Sequence, residues 1–167
     1  MLKESLLRVG AVRYGSFKLR SGEVSDTYVD IKGAITNPET LEEVSSLLAK
    51  NVSAPKIAGV ELGAALLLPA VSAKLNLPFV VIRKEQRAHG IEDRFVGKVN
   101  AGESIDLIED VVTTGGSVLE GAALLRKEGA IVTKVICVVD RERGGAELLK
   151  ENGMQLISLV TLSGLKR

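Results

Sequence analysis

Apolar positions along the chain fall into two alternating kinds of run. Short, nearly continuous runs rich in β-branched residues occur at 57–60, at 79–82 after Pro78, and at 104–108, 134–139 and 155–160. Each is bounded by polar or glycine-containing stretches and reads as a strand. Segments 64–75, 117–128 and 146–152 lie between or after them and read as helices, the last two closed by Gly129 and Gly153. Upstream, Leu2, Leu6, Leu7 and Val9 recur at helical spacing and predict an opening helix ending near Gly10. Residues 17–30 read as two short strands around a polar, glycine-containing turn. Thr36-Asn37-Pro38-Glu39 supplies an N-cap followed by proline at the first helical position, after which Leu41, Val44, Leu47 and Leu48 line one face. Strands of this kind alternating with helices predict an α/β fold with a central, mostly parallel sheet flanked by helices, preceded by a β-hairpin extension. With no repeat or linker, the expectation is one domain over 1–167, with 1–36 as an N-terminal segment and 37–167 as the core.

Composition narrows the function. The 22 basic and 21 acidic residues leave a net charge of +1, so no global field exists to hold a nucleic acid or an anionic membrane. Any anionic ligand must be caught locally. Three Phe, two Tyr and no Trp leave little for stacking nucleobases along a strand. The single cysteine, Cys137, excludes an internal disulfide and a multi-cysteine zinc site; within an apolar run it reads as a small buried hydrophobe and fits a reducing cytoplasm. The longest apolar stretch, 63–73, is broken by Pro69 and Ser72 and falls short of the roughly 20 residues a membrane span needs. The mixed charges of the N-terminus do not resemble a signal peptide.

In parallel sheets ligands bind beyond the carboxyl ends of the strands, which directs attention to 61–64, 83–94, 109–117 and 140–145. Glu109-Asp110-Val111-Val112-Thr113-Thr114-Gly115-Gly116-Ser117 joins a strand to a helix through hydroxyls and glycines. Backbone N–H groups at a helix start, beside small side chains, can cradle a phosphate at 113–117. The turn is neither a Walker A loop, since no Lys precedes Ser117, nor a G-x-G-x-x-G fingerprint. Two carboxylates beside a phosphate cradle would repel the phosphate unless they face something else. A vicinal diol fits, and the ligand so defined is a ribose 5-phosphate group.

This strand, acidic pair and hydroxyl-rich turn resemble the phosphoribosyl pyrophosphate (PRPP) signature of type I phosphoribosyltransferases, and more narrowly the orotate phosphoribosyltransferase form of it. Three further segments agree in order. Phe17-x-Leu19-Arg20-Ser21-Gly22-x-x-Ser25, leading into Tyr28-Val29-Asp30, resembles the N-terminal motif of the orotate enzymes, with Arg20 where the family usually has Lys. Arg83-Lys84-Glu85-Gln86-Arg87-Ala88-His89-Gly90 is similar to the family's mobile catalytic loop, and Asp140-Arg141-Glu142-Arg143-Gly144-Gly145 to the segment whose Arg contacts orotate. The resemblance implies a type I fold with 1–36 as a hood, and transfer of ribose 5-phosphate from PRPP to orotate, giving orotidine 5′-phosphate and pyrophosphate in pyrimidine synthesis. It implies Glu109 and Asp110 on the ribose hydroxyls, with Val111, Val112, Thr113, Thr114, Gly115, Gly116 and Ser117 around the 5-phosphate. Arg83, Lys84, Arg87 and His89 would meet the diphosphate; Thr113, Arg141, Arg20 and Tyr28 would meet orotate. Lys84, Arg87, His89 and Asp110 are the catalytic candidates. Mg²⁺ would ride on substrate oxygens and water rather than in a protein cage. A cytoplasmic homodimer whose loop 83–94 reaches the partner's site completes the expectation.

The loop's cations suit a leaving group that gathers negative charge as the C–O bond breaks. Arg87 replaces a family Lys and keeps its charge, but a guanidinium cannot donate a proton, which leaves Lys84 and His89 as proton partners. A forked guanidinium at Arg141 suits a carboxylate beside a planar ring. Arg143 is the neighbouring alternative, and a surface salt bridge to Glu142 or Glu147 is the competing use of either arginine. Two rival functions remain at this stage. A purine phosphoribosyltransferase needs no carboxylate partner and stacks its base on an aromatic. A non-catalytic PRPP-sensing regulator would carry a basic face or a degraded loop.

Overall fold

The computed structural model describes residues 1–18, 22, 24–85 and 94–166. The chain opens with α1 (Leu2–Arg8), then β1 (Val12–Lys18) and β2 (Val24–Val29), which pair antiparallel with a register shift between Tyr14 and Phe17. A one-turn helix α2 (Ile31–Ala34) leads into α3 (Pro38–Ala49), where Asn37 Oδ1 accepts the Thr40 N–H at 3.1 Å and Pro38 opens the helix. The remainder runs β3 (Ile57–Val60), α4 (Gly63–Leu75), β4 (Phe79–Ile82), β5 (Phe95–Val96), β6 (Asp106–Val112), α5 (Gly116–Lys127), β7 (Lys134–Asp140), α6 (Gly145–Glu151), β8 (Gln155–Thr161) and α7 (Leu162–Leu165).

The large sheet has the order β5-β4-β3-β6-β7-β8, parallel throughout except for β5 at the edge. Chain direction reverses its sideways progress between β3 and β6. Such a switch point opens a crevice at the carboxyl ends of the two strands. Alternate residues of the strands feed two cores. Ile108, Ile136 and Val138 pack with Leu6, Ile31, Leu48, Leu67 and Leu68 on one face. Leu107, Val135 and Cys137 pack with Val118, Ala122, Leu125 and Leu149 on the other. Burying both faces removes the need for polar alternation, which explains the continuous apolar runs.

The structure bears out the α/β architecture and moves several boundaries. The strand expected at 104–108 is β6, and it continues through the acidic pair to Val112, since Val111 and Val112 pair with Val139 and Asp140. Glu109 and Asp110 are therefore buried strand residues, not members of a solvated loop. β1 begins at Val12, well before the expected 17, because Val12 and Arg13 find partners in Val29 and Tyr28. α2, β5 and α7 were not anticipated; each is shorter than the window over which periodicity can be read. Cys137 is fully buried, and its thiol is pushed up by desolvation and by the nearby Asp140 and Glu109 charges, as an inert core residue should be. Among the described residues no helix is long and apolar enough to cross a membrane.

Candidate active site

A cavity of about 300 Å³ opens at the switch point, lined by Lys32, Glu61, Leu62, Gly63, Lys84 and the continuous stretch Glu109 to Val118. All nine residues of the expected acid-and-phosphate signature thus face one space. β6 delivers the carboxylates, and α5 starts where the strand ends. Gly115 precedes α5 with φ +83°, and no side chain caps the first turn. Its N–H groups are left for an anion, beside the hydroxyls of Thr113, Thr114 and Ser117. The turn is backed by the start of α6. A Cβ on Gly145 would approach the Thr113 carbonyl to 2.8 Å, and one on Gly115 would approach the Gly145 carbonyl to 3.2 Å. Gly144 and Gly145, taken from sequence as part of the orotate segment, therefore let the phosphate turn pack backbone against backbone.

The two carboxyls differ in charge. Burial drives Glu109 well above the ordinary carboxylate range, reinforced by a hydrogen bond and repulsion from Asp110. Burial also opposes ionisation of Asp110, but hydrogen bonds from Glu109 and Lys32 outweigh it and hold that carboxyl below its usual value. Lys32 Nζ stands 2.7 Å from Asp110 Oδ2. Lys32 was missed in the sequence because its short helix shows no periodicity and its partner lies 78 positions away. Glu61 opens the segment 61–64 that the sequence singles out as a pyrophosphate-side loop: its Oε1 accepts the Lys84 N–H at 2.8 Å and ties the loop after β3 to the end of β4. Lys84 lines this cavity and, with Arg83, Arg94 and Ser117, a neighbouring one of about 300 Å³. Arg87 and His89 lie outside the described residues.

A second cavity, of about 580 Å³, is walled by β1 and β2 (Gly15, Ser16, Val24, Ser25, Asp26), by Arg141, Glu142 and Arg143 after β7, and by Leu162, Ser163 and Lys166. It adjoins the first through the strand ends, since the Arg141 N–H donates to the Val112 carbonyl at 2.9 Å. Nε and Nη2 of Arg141 are buried and have no hydrogen-bond partner among the described residues. Glu142 is committed elsewhere, accepting the Ser163 N–H at 2.7 Å and its hydroxyl at 2.9 Å, so it does not neutralise Arg141. A half-buried guanidinium with two buried, unmet donors is prepared for an acceptor from outside. Tyr28 is 40% exposed, packs its ring against Phe17 at 5.6 Å, and lines neither cavity. Arg20 lies outside the described residues.

A crevice at the switch point, bringing an acidic pair beside a helix start without a side-chain cap, is suited to a phosphorylated sugar. A model of the phosphoribosyl transferase domain matches residues 33–157. The chain belongs to the phosphoribosyltransferase family. Within that family it is similar over its whole length to orotate phosphoribosyltransferases. That of Thermoplasma volcanium is 51% identical over 167 residues, covering 100% of both chains. The crystal structure of the Aeropyrum pernix orotate phosphoribosyltransferase superposes with a TM-score of 0.90 at 29% identity, covering 99% of this chain and 96% of that one. The UMP synthase of Leishmania donovani gives a TM-score of 0.87 at 29% identity, and there this chain spans only 36% of the longer protein.

Proposed function

We propose that this chain is an orotate phosphoribosyltransferase, which joins N1 of orotate to C1 of the ribose of PRPP and releases pyrophosphate. The observation that carries the reading is the single cavity lined by Glu109, Asp110 and the whole turn from Thr113 to Ser117. In it one end of a ribose 5-phosphate is held by backbone N–H groups and the hydroxyl edge by the acids. As the C1–O bond breaks, its electron pair departs on the diphosphate and the ribose gains oxocarbenium character. The loop's cations, Arg83, Lys84, Arg87 and His89, would stabilise the departing charge, and the Lys84 backbone N–H is braced by Glu61. N1 of orotate loses its proton as the new bond forms, and Lys84 and His89 are the loop groups able to exchange one.

Orotate takes the second cavity, its carboxylate on Arg141 and its ring edge near Thr113. The unmet donors of Arg141 support this placement over a purine, which brings no anion to them. Arg20 and Tyr28 belong to the same proposed base side. Mg²⁺ fits as an ion carried on diphosphate and ribose oxygens and on water. Among the described residues no group of three or more His, Cys, Asp or Glu is gathered that could hold one alone. When bound, it would neutralise diphosphate charge. A cytoplasmic homodimer, with loop 83–94 serving the partner's site, is the assembly this reading carries.

The test is an assay with purified protein, Mg²⁺ and PRPP, offered orotate, uracil and purine bases in parallel, with loss of orotate absorbance as the readout. Turnover of orotate alone is the expected result. Turnover confined to a purine would refute the substrate, and tight PRPP binding without turnover of any base would favour a regulator.

A further inference from the structure

We propose that Lys32 is a positioning residue for the ribose-holding pair: delivered by α2, its ammonium fixes the orientation in which the Asp110 carboxylate meets the sugar hydroxyls. The inference rests on the PRPP reading above and adds a residue to it from outside the signature. Lys32 Nζ lies 2.7 Å from Asp110 Oδ2, and the two side chains are 50% and 7% exposed, so a half-solvated cation reaches inward to a buried carboxylate. The delivering helix is itself fixed. Ile31 and Ala34 are buried in the core, and Asp30 caps the turn by accepting the Gly33 N–H at 2.9 Å. From the opposite side Asp110 is confined by Gly63, whose Cα stands so close that any Cβ would overlap the carboxyl.

The cavity's charges explain why a cation is needed there. Glu61 comes from the loop after β3, Lys84 from the end of β4, and Glu109 and Asp110 from β6, while Asp30 sits beside Lys32 on its own segment. Adjacent buried carboxyls disfavour double ionisation. Lys32 hydrogen-bonds only Asp110, which adds to the Glu109 hydrogen bond in favouring ionisation there, while burial holds the Glu109 carboxyl up. Burial works against the Lys32 charge too, and Asp110 outweighs it, so the ammonium is held charged beyond the ordinary lysine range.

Calorimetric PRPP binding with Mg²⁺ and steady-state kinetics on Lys32→Met, Lys32→Arg, Asp110→Asn and the Lys32→Met/Asp110→Asn double variant test this. Lys32→Met should weaken PRPP binding by about 10-fold or more, the worth of a charge-assisted hydrogen bond. The orotate KM should hold, Lys32→Arg should recover most of the loss in PRPP binding, and Lys32→Met should cost little PRPP affinity once Asp110 is already Asn. An equal loss in the Asp110→Asn background would overturn the proposal, because Lys32 would then be touching the ligand itself. So would an equal loss of orotate affinity, which marks a structural role. Wild-type protein that binds PRPP but does not turn over orotate would refute the base assignment and leave this test intact; wild-type protein that does not bind PRPP would overturn both.

Discussion

The Cα of Gly63, the first residue of α4, rests directly against the carboxyl of Asp110 on the neighbouring strand β6, with no room for a side chain between them. Gly63→Ala should therefore push the carboxylate off the ribose rather than merely crowd the helix. We expect kcat/KM for PRPP to fall by about 100-fold, the usual result of displacing a reacting group by an ångström. Circular dichroism should still show a folded protein. Wild-type kinetics in a folded Gly63→Ala variant would mean that Asp110 does not meet the sugar in this position.

Arg141 offers a prediction of opposite signs for binding and stability. Two of its guanidinium nitrogens are buried without partners among the described residues, so the folded protein gains little from them in the absence of ligand. Arg141→Ala should raise the orotate KM by about 10- to 100-fold, the range for losing a hydrogen bond to a charged group. The PRPP KM and the unfolding midpoint should not fall. An unchanged orotate KM would remove Arg141 from the base site and turn attention to Arg143.

At the other end of the strands, Asp106 is 4% exposed and accepts N–H bonds from Ser53 at 2.8 Å and Ala54 at 3.1 Å, with Lys134 Nζ at 3.0 Å. Asp106→Ala strands the Lys134 charge and should cost about 3 kcal/mol of stability in chemical denaturation. Activity per folded molecule should be unchanged, because the site lies at the opposite, carboxyl ends of β3 and β6. A loss of kcat at full folding would contradict that separation.

Glu109 sets a pH dependence. Its native carboxyl holds a proton well above the ordinary 4.5, mainly through burial, so the native state binds more protons than the unfolded chain over that interval. The stability it contributes is complete below 4.5 and is lost as the pH rises through the elevated native value. Wild-type protein should therefore lose stability relative to Glu109→Gln as the pH increases from acid to neutral. Urea unfolding of both proteins across that range measures it, and a difference that does not vary with pH would show that Glu109 is ionised in the native state.

If loop 83–94 serves the partner's site, two separately inactive variants should complement each other. Asp110→Asn and His89→Ala proteins, mixed under conditions that exchange subunits, should regain orotate turnover because one site of each mixed dimer carries both native groups. No recovery after exchange, checked by mass-tagged subunits, would confine the loop to its own site.

Much of the sheet and the phosphate turn could be read from the chain, because buried parallel strands and a hydroxyl-rich helix start leave local signals. Gly115 to Ser117 and the Glu109-Asp110 pair are contiguous, so their chemistry was legible without a fold. The burial of that pair was not, since a charged dipeptide ends a strand by local preference and only pairing with Cys137, Val139 and Asp140 carries β6 through it. Lys32 escaped for a related reason: it acts on a partner brought near by topology rather than by spacing. Arg141 was found by motif, but its unmet donors became visible only when Glu142 proved to be bound to Ser163.

Among the described residues the two cavities share no lining residue: the one at the switch point is built by α2, the end of β4 and the loops after β3 and β6, and the other by the hairpin, the loop after β7 and α7. Specificity for the acceptor is thereby modular. Exchanging the hairpin, the loop after β7 and the last turn of the chain together should redirect the enzyme to a different nucleophile while leaving the first cavity in place.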